Sequence, residues 1–334
     1  MPMDSATRNF LALVGISATL GAYAICGSIA YVLVPFLGVH PNALTLLGPA
    51  CLLPAVVLAT LVGTSAGVAS RTLVRQLTAS RRLGRRVEAR ALPAPPELLA
   101  TAQAAGLDGR VAMIDSTEQL SFVHGVFVPR VAISQGFLKR LTAEELRAAL
   151  EHESYHVRHL DPLRALLGRV LTEALFLLPS LEVLRLRYEA GRELAADRRA
   201  ERACGRRPLL GALLKALEEP GRESVVRASL ADPGFLDARI FRLETGQAPA
   251  LASAGTASLL VSALGALSFL LLFVAAAAGL GGTSALTGIA ADELSAGSLL
   301  LGASCVVPIV AVVGLSYRHL SRRAGEPLSP QSRT

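Results

Sequence analysis

Tryptophan is absent from the chain, and aromatic residues make up only 4% of its 334 positions. Lysine is nearly absent too, since Lys139 and Lys215 stand in an otherwise all-arginine basic set. Surfaces that stack nucleic-acid bases need aromatics set among basic residues. No stretch here has that character, so no direct nucleic-acid contact is expected. The four cysteines, Cys26, Cys51, Cys204 and Cys305, form no CxxC and no paired spacing. That excludes a disulfide scaffold and predicts reduced thiols. Charge is the scarcest feature. Asp, Glu, Lys and Arg account for 18% of the chain, against about a quarter in soluble domains, and the mean hydropathy is +0.48.

The scarcity is confined to parts of the chain. Residues 9–70, 245–291 and 294–317 contain no charged side chain, while 71–244 holds 28 of the 33 basic and 22 of the 26 acidic residues. This partition excludes a disordered protein and an ordinary cytosolic enzyme. It describes a membrane protein whose one charged domain lies between apolar ends.

A helix needs about 20 apolar residues to cross a bilayer. Residues 9–70 accommodate two crossings broken at Gly38-Val39-His40-Pro41-Asn42, which predicts spans near 11–37 and 43–68. A signal peptide has an apolar core of only about 7–15 residues, too short to explain the first run. Two further spans are expected near 256–280 and 295–317. The resulting division is 1–70 as one helical pair, 71–250 as the charged domain, 251–320 as a second pair and 321–334 as a polar tail. Arg71, Arg75, Arg81, Arg82, Arg85, Arg86 and Arg90 follow the second span, and Arg318, Arg322, Arg323 and Arg333 follow the fourth. The two short loops between spans carry no basic residue, so the positive-inside rule places both termini and the charged domain in the cytoplasm. The arginine flank also suits contact with anionic lipid headgroups.

Within the charged domain, Arg90-Ala-Leu-Pro-Ala-Pro-Pro96 reads as a stiff boundary. A short helix is expected at 97–105, a strand at 111–114, and a β-hairpin from 120–128 and 130–134 around Pro129. Thr142 and Glu145 then form a capping-box pattern, with Leu141 and Leu146 as the accompanying hydrophobic staple. The helix they open is expected to run from 143 to about 159 and to stop at Asp161-Pro162. The fold class expected is therefore mainly α: four transmembrane helices plus a cytoplasmic α+β domain with a small sheet.

The capped helix contains His152-Glu153-Ser154-Tyr155-His156, an HExxH. Histidines at i and i+4 share one helix face, about 5–6 Å apart at Cβ, so both imidazoles can reach one tetrahedral Zn²⁺. Glu153 sits beside that metal position, where it can take a proton from the attacking water and pass it to a leaving amine. A third protein ligand is needed, and the following helix offers Glu193, with Glu189 as the alternative. Asp197, one turn beyond Glu193, can accept an N–H from a metal-bound imidazole. One zinc ion per chain is expected. Tyr188, Arg192, His159 and His124 are candidates to contact the substrate or the oxyanion. Residues 163–184 between the motifs are apolar enough for a fifth span, but one crossing would put Glu193 and His152 on opposite sides of the bilayer. They form either a buried helix, favoured by the Arg169–Glu173 spacing, or a hairpin returning near Pro179-Ser180.

Several runs together resemble the peptidase domain of the Bla/Mec-type β-lactam receptors and, more distantly, the HtpX and CAAX-prenyl-protease group of membrane zinc peptidases. They are the 127–136 strand with Leu141-Thr142-Ala143-Glu144-Glu145-Leu146, His156-Val157-Arg158-His159-Leu160-Asp161-Pro162-Leu163, and Arg192-Glu193-Leu194-Ala195-Ala196-Asp197. The likeness covers roughly residues 90–245. It implies a gluzincin-type endopeptidase in a bacterial plasma membrane, with His152, His156 and Glu193 on zinc and Glu153 as base. It also implies a cytoplasmic DNA-binding repressor as the protein substrate. Only loops near 38–42 and 281–294 are expected outside, so the receptors' penicillin-binding sensor domain has no counterpart here. Two other functions fit the same residues: quality-control proteolysis of the HtpX kind, and a membrane scaffold or signalling protein that binds zinc without turnover. Composition and motifs leave the oligomeric state open.

Overall fold

A computed structural model describes residues 6–19, 21, 49–217, 233–247, 249 and 255–280. It is mostly helical, with one small mixed sheet. The chain divides into two compact units. One gathers Met1–Ala12, Arg71–Val170 and Leu184–Ala252; the other gathers Leu13–Ser70, Leu171–Val183 and Ser253–Thr334.

Helix α1 covers 6–19 and α2 covers Pro49–Ala89. The sequence places a span end near 68, yet α2 continues without a break for a further 21 residues through the arginine flank. Short strand β1 (Ala91–Leu92), helix α3 (Pro96–Ala104), and strands β2 (Val111–Ile114), β3 (Ser121–His124) and β4 (Arg130–Ser134) follow. The order across the sheet is β1-β2-β4-β3, with β2 and β4 parallel and the other neighbours antiparallel, so β3 is an edge strand. The hairpin expected over 120–128 and 130–134 is present with a shorter first strand. Gly125 ends it at φ +88, where a Cβ would lie 2.5 Å from the Val128 carbonyl oxygen, so the chain must turn away from the ladder there.

Strand alternation gives the sheet two buried faces. Met113, Val131 and Ile133 pack with Leu98, Ala102, Leu146 and Leu150 from α3 and α5. Ile114, Phe122 and Ala132 pack on the other side against Val87 and Leu83 of α2. Each fully buried side chain of this size contributes roughly 1.5–3 kcal/mol, so the two faces together hold the sheet between α2 and α5.

Helix α4 is Gln135–Arg140 and α5 is Ala143–Arg158. The capping box is formed: Thr142 Oγ1 accepts from the Glu145 N–H at 3.3 Å, and Glu145 Oε2 accepts from the Thr142 N–H at 2.7 Å. After α5, Leu160 turns left-handed at φ 51 and Asp161 opens α6 (Asp161–Ala174). Helix α7 is Pro179–Cys204, α8 Arg206–Leu217, α9 Pro233–Thr245 and α10 Thr256–Leu280. The 163–184 stretch is thus two helices with a turn at 175–178, where the Leu178 N–H reaches the Leu175 carbonyl at 2.9 Å. It is not the single buried helix that the Arg169–Glu173 spacing favoured; Pro179, suited to the first position of a new helix, marks the break.

In the second unit, Leu58 clusters with Val57, Leu61, Val62 and Phe269. The Ser180 N–H donates to Ser262 Oγ at 3.0 Å. Gly265 allows this approach, because a Cβ there would lie 2.7 Å from the Leu177 carbonyl oxygen. Among the described residues, Val56–Ala89 is the helix long and apolar enough to cross a membrane, and Thr256–Phe269 is a shorter apolar one. The expected spans near 11–37 and 295–317 lie largely or wholly outside the described residues.

Candidate metal centre

The capped start of α5 fixes its rotation, and one turn of helix stacks His152 over His156. Their Nε2 atoms stand 3.2 Å apart. Helix α7 approaches closely because Ala195 and Ala196 pack against Tyr155 of α5, and this brings Glu193 to the same point. Glu193 Oε2 lies 3.5 Å from His152 Nε2 and 3.8 Å from His156 Nε2. The three donor atoms fall within 4.8 Å of one another, and all three residues are buried. Two imidazole nitrogens on one tetrahedral zinc, each at about 2.0–2.1 Å, stand roughly 3.3 Å apart. The observed separation fits. Glu193 Oε2 also has no hydrogen-bond partner among the described residues although it is buried. A buried carboxylate oxygen without a hydrogen bond is costly; Arg239 Nη1 stands 3.9 Å from it, and a metal ion at the converging atoms would bind it directly.

The outer nitrogens face carboxylates, His156 Nδ1 through a hydrogen bond and His152 Nδ1 through a close ion-pair contact. His156 Nδ1 lies 2.6 Å from Asp161 Oδ2, and His152 Nδ1 lies 3.0 Å from Asp197 Oδ1. Both contacts aim the Nε2 atoms inward and make the rings better donors to a metal.

A family model described as BlaR1 peptidase M56 matches residues 41–241, which contain every one of these groups. The chain belongs to that family. Comparison with curated proteins and with solved structures gave no match. Membership makes the protein a metallopeptidase of the BlaR1 kind, in a family of membrane proteins. The match begins about fifty residues before the 90–245 region that carried the resemblance, inside the apolar part of the sequence.

Other residues of this M56 peptidase fall less evenly. Glu153 is fully enclosed beside the two histidines, and its Oε1 accepts from Ser121 Oγ on β3 at 3.1 Å. The Tyr188 hydroxyl donates to Asp161 Oδ1 at 3.1 Å. It is therefore engaged behind His156, not presented to a substrate. Arg192 places its Nε 3.4 Å from Glu193 Oε1. His159 sits at the end of α5, with Nδ1 2.8 Å from the Tyr155 carbonyl and its ring stacked on Tyr155 at 3.9 Å. His124 ends β3, apart from the metal cluster. Glu189, the alternative ligand, pairs with Arg185 and stays outside the cluster.

Sequence reasoning missed three residues. Asp161 was visible only as a helix stop, and Ser121 has no sequence signature. The third is Arg239 of α9, fully buried, whose Nε and Nη2 donate to Asp197 at 2.8 and 2.7 Å. It lies 42 positions from Asp197, too far for any local pattern to connect them.

Burial alone would raise the Glu193 carboxyl. His156, His152, Arg192 and Arg239 outweigh it and hold Glu193 down at about 2. Asp197 is likewise held below its ordinary range by Arg239 and His152 against its burial. Burial would lower the imidazole of His152, but Asp197 and Glu193 raise it to about 9. Without metal, His152 therefore carries a proton at neutral pH. A metal must displace that proton, so affinity should weaken as pH falls below about 9. Calorimetric titration of the metal-free protein at pH 7, in two buffers of different ionisation enthalpy, is expected to give different apparent enthalpies. Identical values would rule out the displaced proton.

Proposed function

We propose that the chain is a membrane-embedded zinc endopeptidase that hydrolyses an internal peptide bond of a cytoplasmic or membrane-proximal protein. One observation carries this reading: two histidines and a glutamate converge through their Nε2 and Oε2 atoms, with a second glutamate beside them. The His₂Glu donor set is that of catalytic zinc peptidase sites. His152, His156 and Glu193 would hold the ion, and Asp161 and Asp197 would orient the rings. Bound zinc supplies a Lewis acid for the scissile carbonyl and lowers the pKa of water.

Glu153 does the proton work. Its carboxylate takes the proton from the attacking water and delivers it to the departing amine, while Ser121 keeps one oxygen aimed. Since Ser121 lies on edge strand β3, a substrate added to that edge through main-chain hydrogen bonds would pass directly over Glu153. His152, Glu153, His156 and Glu193 are all buried, so the edge of β3 is the approach that this reading assigns to a substrate.

Four spans with both termini in the cytoplasm remain our topology, supported by the charge-free runs and the arginine flanks. A cytoplasmic DNA-binding repressor is the substrate that the family likeness favours. Incubating the purified full-length chain with an unfolded test protein should give cleavage that a chelator stops and added zinc restores. Cleavage that survives complete metal removal would refute the zinc-peptidase reading.

A further inference from the structure

A cleft of about 800 Å³ opens beside the end of β3, walled by α2, α6 and α7. Five arginines and one glutamate are the charged residues of its lining. Glu189, the glutamate, is already paired with Arg185. Arg75, Arg82 and Arg86 come from α2 at a spacing of seven and four, which keeps them on one face of that helix. Leu83 and Val87, each directly after one of the last two arginines, pack on the sheet, so the sheet contact fixes where this arginine row points. Opposite the row stands His124, 9% exposed, whose Nε2 is buried and has no hydrogen-bond partner among the described residues. A buried ring nitrogen without a partner is costly to keep and points to a ligand that supplies one.

The edge of β3 leads into this cleft. The Ser134 N–H donates to the Leu120 carbonyl at 2.9 Å. By the alternation of an antiparallel ladder, Ser121 and Val123 then turn their main-chain groups away from β4, to the side of β3 that pairs with no other strand of the sheet. Ser121 is the residue that touches Glu153, and His124 lies three residues further on, roughly 10 Å along the strand.

We propose that this cleft is a specificity site for acidic protein segments, receiving carboxylate side chains of a substrate laid along β3, about three residues from the scissile bond. The proposal rests on the endopeptidase reading for what happens next, but binding can be measured without it. Charge decides the occupant's chemistry: the lining carries a formal surplus of four positive charges, and arginine forks pair with carboxylates in two parallel hydrogen bonds. Lipid headgroups are the competing anions.

The test uses full-length protein in detergent carrying Glu153→Gln, so that binding is read without turnover. The probes are two fluorescent ten-residue peptides, one with three clustered Glu residues and one with Gln in their place. The acidic peptide is expected to bind about tenfold more tightly at low salt, and the advantage should shrink as salt rises. Arg82→Gln with Arg86→Gln should abolish the ratio between the two peptides, and Arg82→Lys with Arg86→Lys should keep most of it, which separates loss of charge from misfolding. Equal affinities, or a ratio untouched by the Gln pair, would overturn the proposal. So would a Gln pair that loses only its association with phosphatidylglycerol vesicles while the peptide ratio persists, since the arginines would then serve lipid. If the chain with Glu153 intact hydrolyses neither peptide but the ratio is present, the endopeptidase reading fails and the cleft assignment stands.

Discussion

Replacing Glu153 with Gln should leave the metal in place and slow peptide hydrolysis by about 10²- to 10⁴-fold, the usual worth of a positioned general base. The geometry separates these two outcomes. The converging donors are His152, His156 and Glu193, and Glu153 is not among them. A glutamine there has nearly the same size and can still accept the hydrogen from Ser121 Oγ, so packing in the fully buried position is preserved. What it lacks is a group that can take a proton from water. Metal content and turnover should be measured on the same preparation. Full metal content with lost turnover supports the assigned role, and undiminished turnover would overturn it. A preparation that loses metal and turnover together would show that Glu153 maintains the site and does not run the reaction.

The second large effect concerns Arg239, which donates to Asp197 and whose Nη1 lies 3.9 Å from Glu193 Oε2. Arg239→Ala is expected to destabilise the charged domain by about 3–5 kcal/mol, the range for stranding one member of a buried ion pair. Arg239 and Asp197 are 1% and 0% exposed at their side chains, so solvent screening does not reduce this figure. Asp197 would be left ionised in a dry environment with His152 as its remaining partner. Pairing Asp197→Leu with Arg239→Met removes both charges, and a matched apolar replacement of a buried pair is often near neutral in stability. Metal affinity should not recover with it, because Asp197 also holds His152; loss of such a supporting carboxylate lowers affinity by about 10- to 100-fold. Denaturant unfolding of the metal-free proteins, with zinc titrations beside it, separates fold stability from ring orientation. An Arg239→Ala protein within about 1 kcal/mol of the parent would refute the buried-pair account.

Legibility in the sequence followed distance along the chain. The α5 helix could be read almost residue by residue, because its cap, its staple and the spacing of His152 and His156 are all local. Glu193 and Asp197 were readable as one turn of the next helix, since the chemistry of two histidines already demands a third ligand. Arg239 was not, because α9 is an ordinary amphipathic stretch until the fold places one of its arginines against Asp197. Tyr188 was one of four candidates for a substrate or oxyanion contact, and its hydroxyl donates to Asp161, a contact that depends on helix rotation and not on residue type. The 163–184 region was ambiguous for another reason. A mostly apolar stretch with only Arg164, Arg169, Glu173 and Glu182 as charges is compatible with one helix or two, and only the turn at 175–178 decides. The length of α2 was hidden by the change in composition at Arg71, which alters what surrounds the helix without interrupting its hydrogen bonds.

The left-handed turn at Leu160 reaches further than its exposed position suggests. For a side chain with a Cβ, that conformation costs about 1–2 kcal/mol, and Leu160 is 41% exposed, so burial of its own offsets only part of the penalty. The turn swings Asp161 back onto His156, and Tyr188 locks it there. Glycine would adopt the same turn without strain, but it would also open neighbouring conformations to the backbone. The chain thus keeps a disfavoured backbone conformation near the surface, and the tolerance of an interior imidazole's aim is set by a residue that is partly open to water.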